Sequence, residues 1–152
     1  MIPTLNLAMK VLNANSRGKV TKLYPMVSDG YVLPDYYIDQ NGNPWSTKSG
    51  RLEPLAPNYT QKYPTITPST YGKRSTKLLH RIVCESVHPF STPKGITKKD
   101  WEATPNSVKD LLRASFQVNH IDHDPLNYHP DNLEWVSVKG NSNAYQEFRK
   151  AA

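Results

Sequence analysis

Thirteen prolines are spread over the 152 residues of this chain, and they set the first limit on its fold. Each fixes φ and removes an N–H donor, so long helices are excluded over most of the length. What remains is ribbon, turn and short helix, an α+β chain. Its hydrophobic content of 37% is low, but Trp 3, Tyr 9 and Phe 3 supply enough aromatic area for a core. The single cysteine, Cys84, excludes an intramolecular disulfide and the paired-cysteine zinc ribbons. No apolar run approaches the ~20 residues of a membrane span. The first ten residues lack the basic start and long apolar stretch of a secretory signal, so a cytoplasmic location is expected.

Thr4 is placed to cap a short helix with Leu5, Ala8, Met9 and Leu12 on one face, so residues 1–30 are read as helix and linker. Residues 31–75 read as β structure. Tyr36 to Ile38, Asn41-Gly42 and Trp45 form a hairpin pattern, because Asn-Gly accepts the positive φ of a tight turn. Arg51 to Leu55 adds a short strand, and Tyr63 to Thr70, broken by Pro64 and Pro68, reads as an edge or curved ribbon. Between positions 48 and 81 the basic residues are Lys48, Arg51, Lys62, Lys73, Arg74, Lys77 and Arg81, against Glu53 alone. This excess equals the net charge of +6 for the whole chain. Such a ribbon suits a polyanion, and a solvated face has the same signature.

Thr76 to Val87 carries a helical stripe of Leu78, Leu79, Ile82, Val83, Ser86 and Val87, stopped by Pro89. Segment 91–104 reads as loop. Asn106 to Phe116 reads as a helix with Val108, Leu111, Leu112 and Ser115 inward. Val118 to Ile121 is a short strand, Asp124 to Asp131 a loop of turn formers, and Leu133 to Val138 a second strand. Lys139-Gly140 then opens a C-terminal helix. The order is strand, long loop, strand, helix, a ββα unit over 118–150 inside a core of 76–152.

The segment VNHIDHDPLNYHPDNLEWVSVKGNSNAY at 118–145 resembles the HNH nuclease motif, in the form found in phage and intron-encoded homing endonucleases. The resemblance extends to LLHRIVCESVHP at 78–89, which looks like the helix preceding that motif. It extends also to YYIDQNGNPWSTKSGRL at 36–52, similar to an N-terminal module of the same subfamily. The resemblance implies a ββα-metal fold and a metal-dependent DNA endonuclease. His120 matches the general base and Asn132 the central asparagine that braces the loop. Asn141 matches a metal ligand, and Asn119 falls where many members carry Asp or His as the other. Mg²⁺ is the implied cofactor, with Mn²⁺ a substitute. Double-stranded DNA is the implied partner of a monomer, with a dimer needed for paired cuts.

Elementary chemistry fits those roles. Phosphodiester hydrolysis needs a base that is neutral near pH 7, which an imidazole supplies, and a cation for the charge that builds on phosphate and leaving oxygen. Mg²⁺ takes oxygen ligands and keeps several waters, so two amide carbonyls with phosphate oxygens satisfy it. A neutral Asn119 holds it more weakly than Asp would, so low metal affinity without DNA is expected. Asn119 and His120 are adjacent and point to opposite faces of an ideal strand, so the strand must end or bend there. Lys48, Arg51, Lys73, Arg74, Lys77 and Arg81 are the candidate DNA contacts, and Asp122 and His129 stand as candidate supports around the site. The competing reading is a DNA-binding protein with a degenerate, inactive core, for which Asn119 is the one argument.

Overall fold

The computed structural model describes residues 18–90 and 96–137. The N-terminal helix expected around Thr4, the segment 91–95 and the C-terminal helix with Asn141 lie outside the described residues.

The first sheet is a four-stranded antiparallel meander in the order β1 (Leu23–Ser28), β2 (Tyr31–Asp39), β3 (Pro44–Ser46), β4 (Glu53–Pro54). Strand β1 corrects the expectation of a linker through residue 30. Its turn to β2 is Asp29-Gly30, both at positive φ (52° and 84°), which matches the right-handed twist of a two-residue hairpin. A register irregularity between Pro25 and Val27 absorbs the proline. The second hairpin forms as its Asn-Gly signal requires, with Tyr37 opposite Trp45 and Ile38 opposite Pro44.

Asp39 explains why that turn is rigid. It is almost wholly buried, and its Oδ1 accepts from the backbone N–H groups of Asn41 (2.8 Å) and Asn43 (2.9 Å). Its Oδ2 accepts from the Trp45 indole N–H at 3.0 Å. Three donors converge on one carboxylate, which is charge-assisted and strong. Asp39→Asn turns one acceptor into a donor facing another donor. The expected cost is about 1–3 kcal/mol, read as a lower urea midpoint at unchanged m-value.

Two small ribbons follow: β5 (Thr65–Ile66) pairs with β8 (Lys77–Leu78), and β6 (Ser69–Thr70) pairs with β7 (Lys73–Arg74) around the tip Tyr71-Gly72. Helix α1 (Leu79–Val87) starts directly after β8. Leu78 is therefore a strand residue, 42% exposed, and not part of the helical stripe. Leu79, Ile82, Val83, Cys84 and Ser86 form the buried face. Burial pushes the Cys84 thiol up to about 12, so it stays protonated and inert.

Helix α2 (Lys98–Ala103) lies in the stretch expected to be loop. Thr97 caps it by accepting from Asp100 N–H at 3.1 Å, and Trp101 buries its ring against Phe90, 5.8 Å between centroids. Helix α3 (Asn106–Ala114) is placed as expected, but its inward face is not: Val108 is 42% and Leu111 72% exposed. Strands β9 (Phe116–His120) and β10 (Leu133–Ser137) pair antiparallel, with a single 3₁₀ turn at Pro130–Asn132 between them.

Helix α1 is the spine. One core cluster joins Met26 and Ile38 of the sheet, Leu79, Ile82 and Val83 of α1, and Val118 and Leu133 of β9 and β10. Each such fully buried aliphatic side chain contributes about 1.5–3 kcal/mol. A second cluster, with Val20, Leu23, Tyr37, Trp45 and Leu52, holds the other side of the meander. Trp135 is half-buried against the first cluster. Its indole N–H donates to the His88 carbonyl (2.7 Å), and its ring meets Phe90 edge-on. Among the described residues no helix is long and apolar enough to cross a membrane.

Candidate active site

His120 is the last residue of β9, directly opposite Leu133. The strand does end there: His123 N–H donates to the His120 carbonyl (2.9 Å), and His123 takes φ 61°. The imidazole of His120 is 7% exposed and lies in an aromatic stack. The ring centroids of His80 and Tyr63 are 4.8 Å and 5.8 Å from it, and Tyr63 and His80 are 5.1 Å apart. Two buried ring atoms in this stack, His120 Nε2 and His80 Nδ1, have no hydrogen-bond partner among the described residues. Burial holds both rings below the ordinary histidine range. For His120 the carboxylates of Asp122 and Asp124 oppose that shift, and for His80, which falls to about 4, the neighbouring His120 and Arg81 add to it. Both are therefore neutral at pH 7.

The loop between β9 and β10 is stapled by Asn132. Its backbone carbonyl accepts from Ile121 N–H (2.8 Å), and its Oδ1 accepts from Asp122 N–H (3.0 Å). Its Nδ2 donates to Asp122 Oδ1 and to the Asn127 carbonyl, both at 2.9 Å. Asp122 also accepts from Asn127 Nδ2 (2.8 Å) and from Asp124 N–H (2.8 Å). Those hydrogen bonds hold its carboxyl below the usual range, the Asn127 amide contributing most. Asp122 thus orders the loop. His129 has a local task too: its Nδ1 accepts from Asp131 N–H (3.1 Å), capping the 3₁₀ turn.

Two parts of this support were not legible beforehand. His88, at the end of α1, bonds through Nε2 to the Pro130 carbonyl at 2.8 Å, so the helix grips the loop as well as Trp135. The Asn41-Gly42 turn sits under the same loop. A Cβ at Gly42 would lie 2.5 Å from the Tyr128 carbonyl oxygen, at φ 86°. Only glycine fits both demands. Gly42→Ala is expected to cost about 2–3 kcal/mol and to shift loop amide resonances from Asn127 to Asn132 in ¹H–¹⁵N spectra.

Asn119 lies on the opposite face of β9 from His120, 9% exposed, and donates through Nδ2 to Glu134 Oε1 at 2.9 Å. Among the described residues no three His, Cys, Asp or Glu side chains gather as a ready-made metal cluster. The donors that meet across the strand pair are amide and carboxylate groups, Asn119 and Glu134. That set suits a hard cation that keeps water and phosphate among its ligands.

The basic residues separate into three places. Lys73 and Arg74 stand exposed on β7 beside Tyr71, which is 91% exposed, and Lys77 follows on β8. Lys48 and Arg51 lie on the meander and face Asp35 and Glu53, each at 3.9 Å. Arg81 is off the ribbon: it donates to the Phe116 carbonyl (3.2 Å) and stacks over Trp135 at 5.4 Å. The ribbon base runs straight into α1, because Leu79 N–H donates to the Pro64 carbonyl (3.0 Å). Tyr36 fixes the ribbon by accepting Ser69 N–H at 2.8 Å.

Residues 77–143 match the family model for HNH endonuclease. Over that span the chain is similar to HNH endonuclease domains. Its matched span contains α1, β9, the stapled loop and β10. The fold is also similar to that of the HNH homing endonuclease I-HmuI, whose solved structure describes DNA binding and cleavage. The TM-score is 0.57 at 24% identity, over 87% of this chain. The chain covers 61% of the length of I-HmuI, and at this identity the likeness is one of fold. No curated protein matches the chain. The meander and ribbon ahead of residue 77 lie outside the HNH match and pack on it through α1.

Proposed function

We propose that the chain is a divalent-cation-dependent endonuclease that hydrolyses phosphodiester bonds of double-stranded DNA, of the homing or phage-borne kind. The observation that carries this reading is the state of His120: a neutral imidazole at a strand end, its buried Nε2 without a hydrogen-bond partner among the described residues, beside a loop fixed by Asn132.

The chemistry follows from that placement. His120 takes a proton from water, and the water oxygen attacks phosphorus opposite the 3′ oxygen. The P–O3′ bond breaks, the electron pair leaves with that oxygen, which takes a proton from solvent water, and the ends are 5′-phosphate and 3′-hydroxyl. Asn119, with Asn141, would hold the cation, most readily Mg²⁺, which when bound neutralises charge on the scissile phosphate and leaving oxygen. Asn132 and Asp122 keep the loop in register, and His80 packs the base ring into place.

The ribbon supplies affinity without sequence. Lys73, Arg74 and Lys77 can follow a phosphate backbone, contacts that position the duplex. Lys73→Ala/Arg74→Ala is expected to weaken duplex binding about equally for all sequences and to lower the log K against log salt slope by about 2. An unchanged slope would move the DNA interface elsewhere.

The deciding experiment is conversion of supercoiled plasmid to nicked or linear form with Mg²⁺, and its loss with EDTA. Salt-sensitive plasmid binding with no cleavage in either Mg²⁺ or Mn²⁺ would favour the reading of Asn119 as the mark of an inactive core.

A further inference from the structure

We propose that Glu134 is a positioning residue of the cation site: it orients the Asn119 amide and supplies, from the neighbouring strand, the negative charge that this amide lacks. The inference rests on the endonuclease reading above and extends it to a residue that the HNH pattern did not single out here.

Register is the first argument. Asn119 and Glu134 are directly opposite in the β9–β10 ladder, so their side chains share a face. Their contact is Nδ2 to Oε1 at 2.9 Å. An ionised carboxylate only accepts, so the amide must present its NH₂ group to Glu134. The amide is planar, and its carbonyl oxygen then occupies the other corner. Rotating the amide to swap the two groups would set oxygen against oxygen. Glu134 therefore fixes the direction in which Asn119 offers its one metal-binding atom.

Charge is the second argument. A cation held by amide oxygens alone gains no charge neutralisation from the protein. The Glu134 carboxylate sits one hydrogen bond away from the ligand and polarises its carbonyl through the amide. Asn119 and Glu134 together carry the single negative charge that one aspartate would bring. Placed on the outer partner, that charge attracts the ion and leaves its coordination positions to water and phosphate.

A plain cross-strand hydrogen bond would have the same geometry, and isosteric variants separate the two. In Glu134→Gln the side-chain carbonyl still accepts from Asn119, while the charge is lost. The variant is expected to keep its melting temperature and to weaken cation binding on the order of tenfold. Asn119→Asp alone sets two carboxylates against each other, one of which must take up a proton or turn away, so it gains little. Asn119→Asp/Glu134→Gln moves the charge onto the ligand and restores the hydrogen bond, and it recovers wild-type affinity or better.

The test measures Mn²⁺ bound to protein–duplex complexes by electron paramagnetic resonance, against duplex alone. All proteins carry His120→Ala so that the DNA stays intact, and Mg²⁺ half-saturation of plasmid cleavage is measured in parallel with His120 present. Weakened binding in Glu134→Gln, with recovery in the double variant, is the expected result. Unchanged Mn²⁺ affinity in Glu134→Gln overturns the proposal, and so does a weakened site that the double variant fails to restore. If wild type cleaves nothing while the Mn²⁺ series behaves as expected, the endonuclease reading fails and the Asn119–Glu134 site stands.

Discussion

His120→Ala is expected to lower plasmid cleavage by a factor on the order of 10³ while leaving duplex binding and the melting temperature near those of wild type. Base catalysis by a positioned side chain contributes roughly 10²–10⁴, and among the described residues only His80 shares the buried unpartnered nitrogen and the neutral state. His80 is the nearest substitute by distance, but its ring is packed against Tyr63 and His120 and is held at about 4, too weak a base. The pH profile gives a second readout. Desolvation favours the uncharged imidazole of His120, and the nearby Asp122 and Asp124 only partly offset it. The base form therefore persists to lower pH than for a free histidine. The acid limb of kcat/KM should fall below the ordinary histidine value, with the rate dropping about tenfold per pH unit below it. An acid limb above that value would mean that carboxylates dominate the field at His120. Full activity in His120→Ala would remove the base assignment altogether.

What the sequence made legible was local. The Asn41-Gly42 hairpin, the α1 stripe and the strand–loop–strand order at 118–138 all rest on spacing or turn chemistry, and each is present. Strand β1 was missed although its signal, Asp29-Gly30 between two β-rich runs, is of the same kind as Asn41-Gly42. Val108 and Leu111 show the opposite error: a helical period reports a face, but only a neighbour makes that face a core. Trp101 shows that one large ring can fix a helix in a stretch too polar to show a stripe. At the site, the places of His120 on the first strand and Asn132 at the end of the loop were readable, because the strand–loop–strand pattern orders them along the chain. His80, His88, Tyr63 and Gly42 were not assigned these roles, because each acts across a tertiary contact. The charge run from Lys48 to Arg81 misled in a similar way. It is continuous in sequence, but the fold divides it between a ribbon tip, ion pairs on the meander and a guanidinium packed under β9.

Asn132→Ala tests whether the loop is as closely coupled to the base as the hydrogen bonds make it. The substitution deletes three side-chain bonds at once, to Asp122 N–H, Asp122 Oδ1 and the Asn127 carbonyl. Water reaches Asp122, so the expected loss of stability is about 2 kcal/mol, well under the sum for three buried bonds. The activity loss should be larger than that figure implies, about 10²-fold or more under conditions where the protein is fully folded. The Asn132 side chain holds Asp122, two residues past His120, so its loss leaves position 132 only its backbone bond from Ile121 N–H to steady the turn that aims the imidazole. A misplacement of about 1 Å is enough to cost 10²-fold. Asn132→Asp discriminates further. It keeps the acceptor for Asp122 N–H but sets an oxygen against Asp122 Oδ1 and the Asn127 carbonyl, so it should be at least as damaging as alanine. Were Asn132→Asp close to wild type in both urea midpoint and cleavage, the amide NH₂ would have no structural task, and the loop would owe its shape to the contacts from His88 and Gly42 instead.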